Sequence, residues 1–452
     1  MRLRAATALG KLAGGLSKSL HRGDGLVIGG RVIMAVYPDA FGALAAGRQV
    51  VFVSATNGKT TTTKLLAAAM NAAAPVVTNS SGANMPAGLV AALATSTGTP
   101  PNAPAILEAD ETYLPGLLAQ TTAPLLVLGN LSRDQLDRVG EVAMVARRWR
   151  KAFADRVAQA GAEGAAGVAG APAAIANADD PQVVWAASAL SDVTWVSVGQ
   201  QWTADSAVCP ACGSIVQRST SPGETTPTWW CSCGFSRPTP SWRLVSGGHG
   251  PDDDEGLLIG PSDARFQLRL QLPGQANQAN AALAIVAADR LGVRPEVALR
   301  ALATVTSVGG RYQTVTLGGR RVRLLLGKNP AGWSEIFGML APAPAPVVIA
   351  INARAADGKD PSWLWDVEFE RLAGRFVLAT GERRHDLAVR LLYAGVEHAS
   401  VADPWSSATP DAATLPPQLR AAPGADSTLD AVGTYTAFRE LLRRGGGADD
   451  AR

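Results

Sequence analysis

Cysteine and histidine are scarce in this chain, with four of each in 452 residues. The histidines, His21, His249, His385 and His398, share no ligand spacing, so they read as surface or core residues. An excess of one charge is also lacking. The formal net charge of +3 is too small to argue for a nucleic-acid partner. No apolar run approaches the ~20 residues that a membrane helix needs. Arg2, Arg4 and Lys11 open the chain without a long apolar core or a small-residue cleavage site. No secretory signal is therefore expected, and the cytoplasm is the expected compartment. Lysine is scarce beside arginine while alanine and glycine abound, which reads as coding bias rather than function.

What is present suits a soluble globular protein. Hydrophobic residues make up 47% and charged residues 17%, and the length allows two or three domains. Residues 48–54 (RQVVFVS) predict a buried strand and residues 58–73 a helix. Short apolar runs follow at 105–107, 124–128, 173–176 and 193–198, with helical stretches between several of them. That alternation predicts an α/β domain with a largely parallel sheet. Composition breaks near Thr203, and all four cysteines lie between there and Pro240. A helix is predicted at 278–291. Strands predicted at 322–326, 347–351 and 376–379 indicate a second, C-terminal α/β domain. Residues 158–174 read as a helix end and loop, 252–255 (DDDE) as a solvated loop, and the last residues as a tail. Leu9, Leu12, Leu16 and Leu20 recur at helical spacing, with Lys11, Lys18 and Arg22 between them. This stripe predicts a helix packed on the domain, in preference to a basic amphipathic helix on an anionic membrane.

The chemistry begins at Ser54-Ala55-Thr56-Asn57-Gly58-Lys59-Thr60-Thr61. A strand, a tight glycine turn and a helix opening on Lys-Thr form a phosphate cradle. Lys59 can bridge phosphate oxygens, and the Thr60 hydroxyl can reach Mg²⁺. The loop departs from the common pattern, because Val53 stands where its first glycine would be. A nucleotide site also needs a carboxylate for the hard Mg²⁺ ion. Glu108, Asp110 and Glu111 follow the 105–107 strand, and spacing alone leaves all three open.

Cys209 and Cys212 form one close pair, and Cys231 and Cys233 another. Four thiolates on two short loops suit tetrahedral Zn²⁺, with disulfides or free thiols as rivals. A full thiolate set leaves no open position, so such a site is structural. Residues 208–240 hold two arginines and no lysine, which is poor footing for a nucleic-acid backbone.

The loop at 55–61 resembles that of the Mur ligases, the ATP-dependent amide-forming enzymes of cell-wall precursor synthesis. Further segments follow in order. Leu107-Glu108-Ala109-Asp110 is similar to their magnesium-binding segment. Asn130 with Arg133-Asp134-Gln135-Leu136-Asp137 resembles their Asn-x-x-x-Asp-His-Leu-Asp motif, with Gln135 in place of His. Asn177-Ala178-Asp179-Asp180 is similar to their Asn-x-Asp-Asp. The adenine-side element is resembled by Asn277 and Asn280, with Ala276 where His is usual. Gly310-Arg311 resembles the Gly-Arg that reaches the phosphates. The cysteine insertion, the 81–85 and 328–332 segments, and Asp357-Gly358-Lys359-Asp360 with the residues up to Asp366 resemble the MurT branch.

This resemblance implies a fold and a division of labour. The expected fold is α/β: a Mur-ligase-type central ATPase domain (48–310) with a parallel sheet, an inserted four-cysteine zinc ribbon (203–240), and a C-terminal α/β domain (311–445). A helical segment (1–47) precedes these and a tail (446–452) follows. The substrate-binding N-terminal domain of ordinary Mur ligases is expected to be missing. Implied ATP contacts are Thr56, Asn57, Gly58, Lys59, Thr60, Thr61, Asn277, Asn280 and Arg311. Implied Mg²⁺ ligands are Thr60 and Glu108, and implied Zn²⁺ ligands Cys209, Cys212, Cys231 and Cys233. The implied reaction is ATP-dependent amidation of the D-isoglutamate α-carboxylate of lipid II through an acyl phosphate. Its ammonia comes from glutamine by way of a GatD-like glutaminase partner, at the inner face of the plasma membrane. In this family an aspartate of the Asp-Gly-x-Asp segment completes the partner's Cys-His triad, and Asp357 and Asp360 both fit. The rivals are another Mur-like or folylpolyglutamate-type ligase, or a non-catalytic nucleotide-binding zinc-ribbon module.

Overall fold

The computed structural model describes residues 2–19, 25–79, 82–96, 99–122, 124–133, 142–163, 170–219, 228–246, 255–306, 312–405 and 428–446. Arg311 and Gly310, residues 134–137, Ser81, Leu20, His21, Arg22, His249 and residues 252–254 lie outside them.

The strand expected at 48–54 is β1 (Val50–Ser54), buried throughout. Its side chains alternate between two cores. Val51 and Val53 face one, and Val50 and Phe52 the other. A parallel strand covered on both faces reads as an unbroken apolar run for this reason. It is followed by β2 (Val77–Thr78), β3 (Ala105–Glu108), β4 (Leu125–Leu128), β5 (Ala173–Asn177) and β6 (Asp192–Ser197). After an excursion through β7 (Gln217–Ser219) and β8 (Thr228–Trp230) come β9 (Trp242–Ser246), β10 (Glu255–Ile259) and β11 (Arg265–Arg269). Among the described residues, nine of these strands form one sheet in the order β11-β10-β9-β6-β5-β4-β1-β3-β2. Strand β10 is antiparallel to both its neighbours, and the other pairs are parallel. The chain leaves β1 for β2 and β3 on one side and returns to β4 on the other. This reversal opens a crevice at the carboxyl ends of β1 and β4, where such sheets bind ligands.

A second sheet follows, with β12 (Tyr312–Leu317), β13 (Arg320–Leu326), β14 (Val347–Ala350), β15 (Phe376–Thr380), β16 (Glu397–Ser400) and β17 (Leu429–Gly433). Its order is β12-β13-β17-β14-β15-β16, and only the β12–β13 pair is antiparallel. Two further cores flank this sheet, one built on Trp333 and Phe369 and the other on Phe438. The excursion itself is a small hairpin, β7 against β8, between two paired strands of the large sheet.

The first helix corrects an expectation. α1 (Arg2–Ser19) does pack on the domain, through α2 (Leu26–Val36) and with Leu3 against the core, but not by the leucine stripe that begins at Leu9. Ala6, Gly10 and Ser17 are its buried residues. A Cβ on Gly10 would stand 2.7 Å from the Gly29 carbonyl, so the two backbones meet through glycine. Leu9, Leu12 and Leu16 point the other way and are 48%, 66% and 63% exposed.

Candidate active site

The phosphate loop sits at the crevice between β1 and α4 (Lys59–Asn71). Gly58 has φ of +83°, and a Cβ there would lie 2.2 Å from Asn280 Oδ1. Both conditions demand glycine. The loop is held from below by the segment after β4. Thr56 Oγ1 donates to the Ser132 carbonyl (3.1 Å) and accepts from the Ser132 N–H (3.0 Å). Asn57 N–H donates to Asn130 Oδ1, and Asn130 Nδ2 returns a bond to the Asn57 carbonyl. The whole loop is thus preset before any anion arrives.

Lys59 is buried. Its ammonium donates to the carbonyls of Ala55 and Thr56 and pairs with Glu111 at 2.9 Å. Burial works against this charge, but Glu111 and Glu108 overcome it and raise the Lys59 pKa. Thr60 is half-buried at the start of α4, while Thr61 faces the cleft.

The three carboxylates left open by spacing separate cleanly. Glu108 is buried at the end of β3, beside Val53, and accepts from Asn84 Nδ2 at 3.0 Å. Asp110 accepts from the backbone and hydroxyl of Thr112. Glu111 is taken by Lys59. The donors present, the Thr60 hydroxyl and the Glu108 carboxylate, are the hard oxygens that fit Mg²⁺.

Across the crevice, Asn277 and Asn280 lie on the Gln275–Arg290 helix. Asn280 accepts from Thr62 Oγ1, and Asn277 donates to the Pro273 carbonyl. With Asn57, Gly58 and Thr61 they line a cleft of about 740 Å³. The facing wall belongs to the second sheet's domain and presents Lys328, Glu335 and Arg371. The two walls touch through a reciprocal amide pair. Asn57 Nδ2 lies 3.4 Å from Asn329 Oδ1, and Asn329 Nδ2 lies 3.2 Å from Asn57 Oδ1. Asn329 also caps the Pro330–Met339 helix, accepting from the Gly332 N–H. A second bridge joins Arg133 to Asp366 at 3.1 Å. Sequence reasoning assigned no role of their own to Asn329 or Ser132, and it did not foresee Glu111 as the partner of Lys59. Asn329-Pro330 did carry a signal, since Asn before Pro marks a helix start. Arg311, expected at the phosphates, lies outside the described residues.

The four cysteine sulfurs converge, all within 4.8 Å of one another. Cys209 and Cys233 are 3.9 Å apart, and Cys212 and Cys231 are 3.4 Å apart. A tetrahedral Zn²⁺ with bonds of about 2.3 Å needs sulfurs roughly 3.8 Å apart, so the set fits the ion. The shorter C-x-C pair closes through a Gly234 turn, with the Cys231 N–H on the Phe235 carbonyl. Hydrogen bonds from Ser214 hold the Cys212 thiol down to about 6, whereas burial drives Cys209 up to about 12. The hairpin docks beside the cleft. Trp229 Nε1 donates to the Ala178 carbonyl, and Arg237 pairs with Asp179 at 2.8 Å. Asp179 Oδ2 accepts the N–H groups of Val198 and Gly199, which line the cleft.

The two candidate aspartates of the second domain differ. Asp357 is buried and accepts from the Thr436 N–H, the Thr436 hydroxyl and the Arg354 N–H. Asp360 is exposed, and the N–H and hydroxyl of Ser362 hold its carboxyl below the usual range.

With this geometry in view, comparisons with known proteins place the chain. Residues 326–438 match the family model for the MurT ligase C-terminal domain. The lipid II isoglutaminyl synthase (glutamine-hydrolyzing) subunit MurT of Staphylococcus aureus (strain N315) is 29% identical over 88% of this chain and 89% of its own. The Streptococcus pneumoniae (strain R6) protein of the same name is 28% identical over 86% and 87%. Among solved structures, MurF from Acinetobacter baumannii has the same fold, with a TM-score of 0.64 at 14% identity over 91% of this chain and 79% of its own. The loop, the two-domain cleft and the structural likeness give this chain the Mur-ligase fold, residues 326–438 match the MurT ligase C-terminal domain, and over most of its length the chain is similar to MurT proteins.

Proposed function

We propose that this chain is the ATP-dependent ligase subunit that amidates the α-carboxylate of D-isoglutamate in lipid II, with ammonia drawn from glutamine by a GatD-like partner. The observation that carries this reading is the cleft. A preset phosphate loop faces, through the Asn57–Asn329 pair, the domain that matches the MurT C-terminal family.

Ammonia does not displace oxygen from a carboxylate at a useful rate, so the acid needs a leaving group. A carboxylate oxygen attacks the γ-phosphorus of ATP, ADP departs, and an acyl phosphate forms. Ammonia then attacks the acyl carbon, the C–O bond to phosphate breaks, and the surplus proton passes to solvent. Bound Mg²⁺ supplies positive charge for the transferring phosphoryl group. The loop N–H groups and Lys59 stabilise the same charge, Thr60 and Glu108 hold the ion, and Asn277 and Asn280 bound the nucleotide side. Arg311 is assigned to the phosphates by resemblance. Cys209, Cys212, Cys231 and Cys233 hold a structural Zn²⁺. That assignment commits every cysteine of the chain, so the glutaminase thiolate belongs to another subunit. Asp360, with its carboxylate in water, is the residue offered to that subunit's Cys-His pair. Asp357 is occupied within its own domain. No helix among the described residues is long and apolar enough to cross a membrane. The lipid-linked substrate of this reading is one presented at the inner membrane face.

The test supplies the purified chain with ATP, Mg²⁺, lipid II and either ammonia or glutamine plus a GatD-like partner. Mass spectrometry should find carboxyl converted to amide in both arms. Absence of amide with ammonia removes the ligase assignment, and absence with glutamine alone removes the partner assignment.

A further inference from the structure

The exposed leucines of α1 have no partner among the described residues, and their setting identifies one. Around the helix, successive residues turn by 100°. That places the side chains on three faces. Ala6, Gly10 and Ser17 fall on the seam buried against α2. Leu9, Leu12 and Leu16, with Ala5, fall within one 60° arc on the solvent side. Arg4, Lys11 and Lys18 fall within a 40° arc that flanks the exposed surface. The usual surface helix turns its leucines inward, and this one, beyond Leu3, turns small residues inward and Leu9, Leu12 and Leu16 out. The glycine contacts fix that orientation. Rotating the leucines inward would drive them into the Gly29 carbonyl and Ile33, where even a Cβ on Gly10 has no room.

Charge decides what covers this face. The first 23 residues contain no Asp or Glu, and carry Arg2, Arg4, Lys11, Lys18 and Arg22. Two copies of α1 joined by their leucines would bring cationic stripes together. An anionic bilayer attracts them instead, accepts the leucines at the headgroup boundary, and lets the long basic side chains reach the phosphates. We propose that α1 docks the protein reversibly on an anionic lipid surface, leucine face inward. The role gains meaning from the lipid-linked substrate proposed above, but the contact itself needs no substrate.

Co-sedimentation tests it. The full chain, alone and with its partner, is mixed with vesicles of phosphatidylglycerol and phosphatidylcholine in equal parts, or of phosphatidylcholine alone. Binding is expected only to the anionic vesicles and should weaken as salt rises from ~0.1 to ~0.5 M. The double variant Leu12→Gln, Leu16→Gln should lower binding by about tenfold or more. Lys11→Gln and Lys18→Gln should each lower it by about fivefold. All four positions are exposed, and nucleotide binding should be unchanged in each variant, which reports an intact fold. Wild-type protein that ignores anionic vesicles, or a leucine variant that binds equally, overturns the proposal. So does sedimentation velocity showing that the leucines hold a dimer or the partner complex without lipid. Amidation that proceeds while vesicle binding fails would sink this inference and leave the ligase reading standing.

Discussion

In the 54–61 loop, Thr56 and Lys59 are buried and answered by groups of their own domain. In the 357–366 segment Asp357 is answered in the same way, yet Asp360, three residues on, faces water. In the function proposed above, the first region holds a charge in place for chemistry inside this chain, and the second, anchored at Asp357, presents Asp360 outward. A buried, pre-paired group suits phosphoryl transfer, because it costs no reorganisation at the moment of reaction. An exposed carboxylate on an anchored loop suits a partner's active site.

The largest expected effect tests the first region. Lys59→Met should lower amidation by at least about a hundredfold with ammonia as well as glutamine. It should also destabilise the fold, because Glu111 is left buried without its counter-charge. Adding Glu111→Gln should restore the melting temperature but not the rate. Recovery of the rate would mean that the stranded Glu111 charge, not the loss of the lysine at the phosphates, had lowered it.

The next effect tests the contrast itself. Asp360→Asn should abolish glutamine-supported amidation, spare the ammonia-supported reaction, and change stability by less than about 0.5 kcal/mol. Asp357→Asn should instead cost about 1–3 kcal/mol in urea unfolding, because its oxygens serve three donors. A reversed pattern would assign the partner's aspartate to Asp357.

The smallest effect concerns Asp180, fully buried under the cleft and bonded to the N–H groups of Leu131, Gln182 and Val183. Burial pushes its carboxyl from 3.8 up to about 6, against the pull of those donors. The folded state therefore holds this proton more tightly than the unfolded chain does. The stability it contributes is complete below pH 3.8 and is lost as pH rises through about 6. Urea unfolding across that window should show stability falling, by at most about 1.4 kcal/mol for each step of one in pH. The slope should be shallower in Asp180→Asn. Equal slopes would place the proton elsewhere.

Much of this was legible beforehand where the signal is local. Strands β1, β13, β14 and β15 and the phosphate loop were written in contiguous apolar runs and turn residues, and the cysteine cluster in short spacings. Pairings over long chain separations were not. Nothing near Asn57 names Asn329, 272 positions away, and nothing near Lys59 favours Glu111 over Glu108. The leucine stripe of α1 was legible as a stripe, but its direction was not. That direction is set by Gly10 and Gly29, whose missing side chains carry no periodic signal.

Asp179 has a consequence for anyone who would redesign this protein. One oxygen receives Arg237 from the cysteine hairpin, and the other gathers the amides of Val198, Gly199 and Gln200 along the nucleotide cleft. The hairpin is therefore not a detachable ornament. Splicing out 203–240 and closing the gap with a short linker would strand a buried carboxylate at the rim of the cleft. A shortened version would have to supply a new cation at that point, or exchange Asp179 for a neutral residue that still collects the three amides.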